Sequence, residues 1–267
     1  MITLHNVKFA YEGIASIFKD LNLELNEPGI YGLLGENGIG KTTLLKMMSG
    51  VYFAQGGDLK IDGKDVSKRD VDTMSKIYFM PDTISEVNLT FGMFVKSYSP
   101  FYENFSNDIL DDCLRSFGID SSRKISAMSL GEKKKAFMSF ALAVQTEILF
   151  MDEPSNGMDI PSKKIFRQLL MKYCGEDQYI VISTHLVSDV ENILDHFIIL
   201  TSEGNAFTAS SAEITARYTF GTSASADGAL YSEKSAGGYK VILPSQGEES
   251  EIDIVMLFNA VTKGFIK

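Results

Sequence analysis

Several residue types are scarce in this chain, and each scarcity removes a class of protein. Its 267 residues hold two cysteines, three histidines and no tryptophan. Cys113 and Cys174 are too few for a disulfide framework and lie in no metal-ligand spacing, which fits a reduced, cytoplasmic setting. Basic residues are outnumbered, with 25 Lys and Arg against 35 Asp and Glu and a net charge of −10, so nucleic acid is not an expected partner. The longest apolar stretch at helical spacing, Ala136 to Val144, falls well short of the ~20 residues that cross a bilayer. Any membrane span in the working assembly is therefore expected from another chain. The start, MITLHNVKFAYEG, lacks a basic stretch leading into an apolar one, so no secretory leader is expected there.

What remains is an ordinary globular composition, 45% hydrophobic and 22% charged. Apolar and polar residues alternate from Thr3 to Tyr11 and from Ile17 to Leu25, predicting two half-buried strands. IYGLLG, EILFMDEP, QYIVISTH and FIIL read as short strands, the continuous apolar runs among them as buried ones. Helices are predicted after Gly40 and from about Pro161 to Cys174, and mostly helical patterns fill Thr83 to Thr146. The fold class is therefore α/β, with a mixed sheet core and an inserted helical subdomain at about 83–146. After Gly204 the composition shifts to Ala, Ser, Thr and Gly. A hairpin around Ala236-Gly237-Gly238 and a terminal helix in EIDIVMLFNAVTKG suggest a small α+β appendage over 205–267, beside a main domain over 1–204.

GENGIGKT, Gly35 to Thr42, matches G-x-x-x-x-G-K-[ST] between a predicted buried strand and an amphipathic helix. Small residues let successive backbone N–H groups curl around phosphate, and the helix N-terminus adds partial positive charge. Lys41 is suited to neutralise outer phosphates and the Thr42 hydroxyl to ligate Mg²⁺. EILFMDEP then places two acids at a strand end. Period-2 alternation sends Asp152 and Glu153 to different sides, one toward a metal and the other toward a water. His185 follows the apolar run IVIST and is expected at the same sheet edge, whereas His5 and His196 read as strand or surface residues.

Together these segments resemble the ABC ATPase family along roughly the first 204 residues. Tyr11 matches the family's adenine-stacking aromatic, with core packing as its other reading. MSLGE, Met128 to Glu132, matches the signature sequence usually written LSGGQ; Leu130 replaces its first glycine and Glu132 its glutamine, while Ser129 and Gly131 are retained. SNGMD matches the D-loop, with Asp159 at its acidic position, and His185 matches the switch histidine. The SLG variant, NGMD and the segment LVSDVENILDHFIIL look most like the branch serving ABC-2-type exporters, including bacitracin and lantibiotic resistance systems.

The resemblance implies an ATP-hydrolysing transporter subunit that dimerises head-to-tail around two Mg-ATP, on the inner face of the membrane, and drives a separate permease. It implies ATP contacts at Tyr11, Asn37, Gly38, Ile39, Gly40, Lys41, Thr42 and Thr43, and catalytic roles for Lys41, Glu153 and His185. Ser129, Leu130, Gly131 and Glu132 would face the partner's ATP. Where the family places a Mg²⁺-touching glutamine this chain has Asp82, which joins Thr42 and Asp152 as an expected metal residue. Lys133-Lys134-Lys135, just past the signature, reads as a solvated helix face. A soluble ABC ATPase with a role outside transport is the other function the motifs allow.

Overall fold

The computed structural model describes residues 1–13, 16–85, 87–186, 189–190, 192–202, 204–248 and 250–266. Strands β1 (Ile2–Phe9) and β2 (Phe18–Leu25) pair antiparallel, burying Ile2, Leu4, Val7 and Phe9 on one strand and Phe18, Leu21, Leu23 and Leu25 on the other. The predicted alternation is interrupted twice, by register shifts between Leu4 and Val7, where Asn6 adopts φ 50°, and between Val7 and Phe9. β3 (Gly29–Leu34) is buried along nearly its whole length and leads through the glycine-rich loop into α1 (Lys41–Met48). β4 (Gly56–Ile61) returns to the free edge of β1, and β5 (Lys64–Asp65) completes a four-stranded sheet in the order β2-β1-β4-β5.

After the short helix α2 (Val71–Met74) comes β6 (Ile77–Met80), followed by α3 (Phe91–Tyr98), α4 (Asn107–Phe117) and α5 (Leu130–Ala143). Thr90, Ser106 and Ser129 cap their N-termini by accepting backbone N–H bonds. β7 (Ile148–Asp152), α6 (Ile160–Tyr173), β8 (Tyr179–Thr184) and β9 (His196–Leu200) complete the parallel part of the second sheet. Its order is β10-β9-β3-β8-β7-β6, where β10 (Ala206–Ser210) is the antiparallel edge. This is the predicted mixed core.

Because successive strand residues point to opposite faces, the central sheet feeds two apolar cores. Ile30, Leu34, Met151, Ile180, Ile182 and Ile199 join the cluster containing side chains of α3 to α6. Tyr31, Leu33, Phe150, Val181, Ile198 and Leu200 join the cluster containing α1 and the four-stranded sheet. Burial on both faces explains why these strands read as unbroken apolar runs.

The C-terminal part continues with α7 (Ser211–Arg217), β11 (Tyr218–Ser223), β12 (Tyr231–Ser235), β13 (Gly238–Pro244) and α8 (Ile254–Thr262). The β12–β13 hairpin turns at Ala236-Gly237, with Gly237 at φ 97°, and the sheet order is β11-β13-β12. Gly204, where the composition changes, lies between β9 and β10, two hydrogen-bonded strands of one sheet. Phe220, Ile242, Leu257 and Ala260 are buried in the same apolar cluster as Ile199. Leu257, fully buried, is thus a direct probe of that shared core. Leu257→Ala is expected to cost about 2–5 kcal/mol and to lower the midpoint of a single cooperative transition followed by circular dichroism. A second, separate transition would show that 205–267 unfolds by itself.

Candidate active site

The glycine-rich loop closes through specific contacts. Gly40 sits at φ 114°, and a Cβ there would lie 2.6 Å from Ile17 and 2.8 Å from the Phe18 ring, so no other residue fits. Gly38, at φ 82°, faces open space on the exposed side of the loop with Asn37, while Ile39 is half-buried. The N-cap of α1 is Gly40, which supplies no side-chain acceptor, so the first-turn N–H groups carry no side-chain cap. The Lys41 ammonium donates to the carbonyls of Gly35 (2.7 Å) and Glu36 (3.1 Å). Burial pushes its pKa down, opposed by the charges of Glu153 and Asp152. An inward ammonium and an uncapped helix start are what a polyphosphate requires.

Beside this loop Thr42 Oγ1 donates to Asp152 Oδ2 at 2.8 Å, and Ser183 Oγ donates to Asp152 Oδ1 at 2.6 Å. Asp152 ends β7 and is only 1% exposed. Among the described residues no group of three or more His, Cys, Asp or Glu could hold a metal unaided. A hydroxyl with one carboxylate is nonetheless an all-oxygen set suited to Mg²⁺, which binds through one or two carboxylates plus phosphate and water.

Glu153 departs from the strand in the left-handed region, at φ 45°, a conformation that costs a non-glycine residue about 1–3 kcal/mol and persists only where its surroundings enforce it. Its N–H donates to Ser183 O (3.1 Å) and Ser183 Oγ (3.0 Å). Its carbonyl accepts from the Asn156 N–H (3.2 Å) and from Lys134 Nζ (3.0 Å). The bend brings Glu153 Oε2 to 2.8 Å from His185 Nδ1. An ionised carboxylate only accepts, which assigns a proton to Nδ1.

Lys134 corrects the expectation of a solvated lysine triplet: its side chain is 0% exposed and its ammonium lies 2.8 Å from Asp82 Oδ1. Asp82 therefore meets a protein cation at the position where a metal contact was expected. Sequence reading also missed Ser183 and Asp189. Asp189 is buried, accepts from Ser155 Oγ (2.7 Å) and pairs with Lys163 (2.7 Å), tying the loop after Glu153 to the segment after His185. A serine inside a strand and an acid in an acidic chain carry no periodic signal.

The Tyr11 hydroxyl shares a 2.9 Å hydrogen bond with Thr43 Oγ1 at the start of α1. Its ring meets Phe9 and Tyr52 edge-on at 5.1 and 5.9 Å, leaving it half-buried. The tyrosine thus stands directly beside the phosphate loop. Asp159 caps α6, accepting from the Ser162 N–H at 3.0 Å, and the Ser162 hydroxyl together with this N–H holds its carboxyl below the usual range.

Among the described residues no hydrogen bond joins the turn Ser129–Glu132 to the phosphate loop. Ser129 and Glu132 instead form a reciprocal capping box on α5: Glu132 Oε2 accepts from the Ser129 N–H (2.8 Å), and Ser129 Oγ accepts from the Glu132 N–H (3.3 Å). Leu130 is 55% exposed. A Cβ on Gly131 would stand 2.9 Å from the Gly157 carbonyl, so this turn packs against the loop after Glu153.

The Ser129 N–H and an ion pair with Arg123 pull the Glu132 pKa from 4.5 to about 2. A depressed acid stabilises the fold above its ordinary pKa and loses that contribution as pH falls through the folded value. Glu132→Gln keeps a capping acceptor but not the charge. Its urea midpoint is expected to fall below wild type at neutral pH and to converge with it as the pH drops toward about 2. A gap that persists unchanged at low pH would contradict this.

The comparisons with known proteins agree with this geometry. The ABC transporter family profile matches residues 18–156. The cytochrome c biogenesis ATP-binding export protein CcmA of Reclinomonas americana is 30% identical over 210 residues, covering 75% of this chain and 91% of that protein. The bacitracin transport ATP-binding protein BcrA of Bacillus licheniformis is 30% identical over 184 residues, covering 66% and 59%. Among solved structures, the dimeric bacterial ABC transporter cassette MJ0796 superposes with a TM-score of 0.67 at 22% identity, covering 79% of this chain and 98% of that one. With its phosphate loop, paired acids and capped signature turn in place, the chain belongs to the ABC transporter family as an ATP-binding, ATP-hydrolysing subunit.

Proposed function

We propose that the chain powers an exporter, hydrolysing ATP in a head-to-tail dimer and passing the resulting motion to a separate integral membrane permease. The observation that carries this reading is the Glu153 carboxylate held 2.8 Å from His185, beside the Thr42–Asp152 bond. Glu153 takes the proton of the attacking water, and the His185 Nδ1–H fixes the carboxylate's orientation for that transfer. Lys41 and the N–H groups opening α1 hold the phosphates, and Tyr11 stacks on the adenine. Thr42 and Asp152 would hold Mg²⁺, which when bound neutralises phosphate charge.

Ser129 and Gly131, at the capped start of α5, are assigned to the ATP of the other copy, and Asp159 to the seam between copies. The dimeric state of the similar cassette supports pairing. The names of CcmA, an export protein, and BcrA, a bacitracin transport protein, support export. Among the described residues no helix is long and apolar enough to cross a membrane; the reading assigns the span to the permease and this chain to its cytoplasmic face. Residues 1–204 are taken as the ATP-binding domain, and 205–267 as an appendage whose first strand extends the domain's sheet.

Glu153→Gln is expected to lower ATP turnover by about 10²- to 10⁴-fold while leaving ATP binding intact; steady-state activity near wild type would sink the catalytic assignment. Head-to-tail pairing has its own test. Lys41→Ala and Ser129→Arg subunits, each inactive alone, should regain activity when mixed, because the mixed dimer contains one undamaged site. No recovery in mixtures shown to exchange subunits would mean that loop and signature do not meet across the dimer.

A further inference from the structure

We propose that Lys134 is a positioning residue for hydrolysis, clamped between the Asp82 carboxylate and the Glu153 carbonyl so that the Glu153 backbone keeps the turn that aims its side chain. This rests on Glu153 being the proton acceptor. A fully buried ammonium needs both a counter-charge and hydrogen-bond acceptors. Lys134 finds them 2.8 Å away on Asp82 and 3.0 Å away on Glu153 O. The three residues come from separate parts of the fold: α5, the loop after β6 and the loop after β7.

Glu153 is where such a clamp has work to perform. At φ 45° its peptide geometry persists only if both ends are held. Ser183 holds the N–H. On the carbonyl side Asn156 contributes one bond of 3.2 Å, and the ammonium is the charged and shorter partner. Without it, the carbonyl is tied to its own loop alone, and the carboxylate beyond it loses a fixed base.

Asp82 acquires an explanation at the same time. An amide suffices beside a neutral neighbour, but a buried lysine calls for a carboxylate. The carboxylate at 82 and the lysine at 134 are thus one feature, a buried cation with its counter-ion. Asp82 acts on the site through Lys134 and the Glu153 backbone.

The test uses the double variant D82N/K134M, which removes the donor without stranding a buried charge, and K134R, which keeps a donor. For D82N/K134M the expectation is a wild-type melting temperature, an unchanged KM for ATP and a kcat lower by about ten- to a hundredfold. K134R should retain clearly more of the wild-type kcat. Wild-type kcat in D82N/K134M, an equal loss in both variants, a loss confined to KM, or failure of D82N/K134M to fold would each overturn the positioning role. E153Q is assayed in parallel. If it remains active, the catalytic reading of Glu153 falls; if it is inactive while D82N/K134M turns over normally, only the role of Lys134 falls.

Discussion

The site depends on one carboxylate taken out of water. Asp152 is buried at the end of β7, and removing a charge from solvent costs several kcal/mol unless polar partners replace the water. Here the partners are hydroxyls from two other elements, Thr42 on α1 and Ser183 on β8. They meet because β3, β8 and β7 run parallel in a register that sets Leu34 opposite Thr184 and Ser183 opposite Asp152. The carboxyl ends of the strands therefore finish level, and the loops beyond them converge on one crevice. Lys41, at the start of α1, lies close enough for the charges of Asp152 and Glu153 to offset part of its burial. A one-residue slip of β7 would turn Asp152 to the opposite face of the sheet and break this arrangement.

Much of this was legible because the relevant signals are local. Unbroken apolar runs ending in GENGIGKT, DE or TH announce a covered parallel sheet with its chemistry at one edge. The strands read from the sequence, the helix after Gly40 and the hairpin at Gly237 stand within a residue or two of their expected places, and the last helix begins three residues into its expected segment. Other features depend on partners distant in sequence. Lys134 is one of three consecutive lysines, and its burial is made tolerable by partners 52 residues earlier and 19 residues later; no helical period reveals that. Likewise β10, AFTAS, resembles the small-residue segment that follows it, yet backbone pairing with β9 places it in the main sheet regardless of side chain. The aromatic ring cluster of Phe9, Tyr11 and Tyr52 brings together residues from two loops and a strand, so Tyr11 could be matched to a role but not to a neighbourhood.

The two departures within the signature turn are locally harmless, and the reasons differ. Glu132 performs the same capping as the usual glutamine, since either side chain offers an acceptor to the Ser129 N–H, and its charge gains an arginine partner. Leu130 needs no room in the interior because it projects from the first turn of α5 while touching Gly157 at its tip.

The close approach of Gly131 to Gly157 carries a mechanical consequence. With a hypothetical Cβ only 2.9 Å from the opposing carbonyl, two backbones are in direct contact and no flexible side chain lies between them to absorb displacement. Packed interfaces of this kind yield in discrete steps instead of deforming smoothly. A displacement of the first turn of α5 therefore meets the loop after Glu153 backbone against backbone, as in a gear train cut with little backlash.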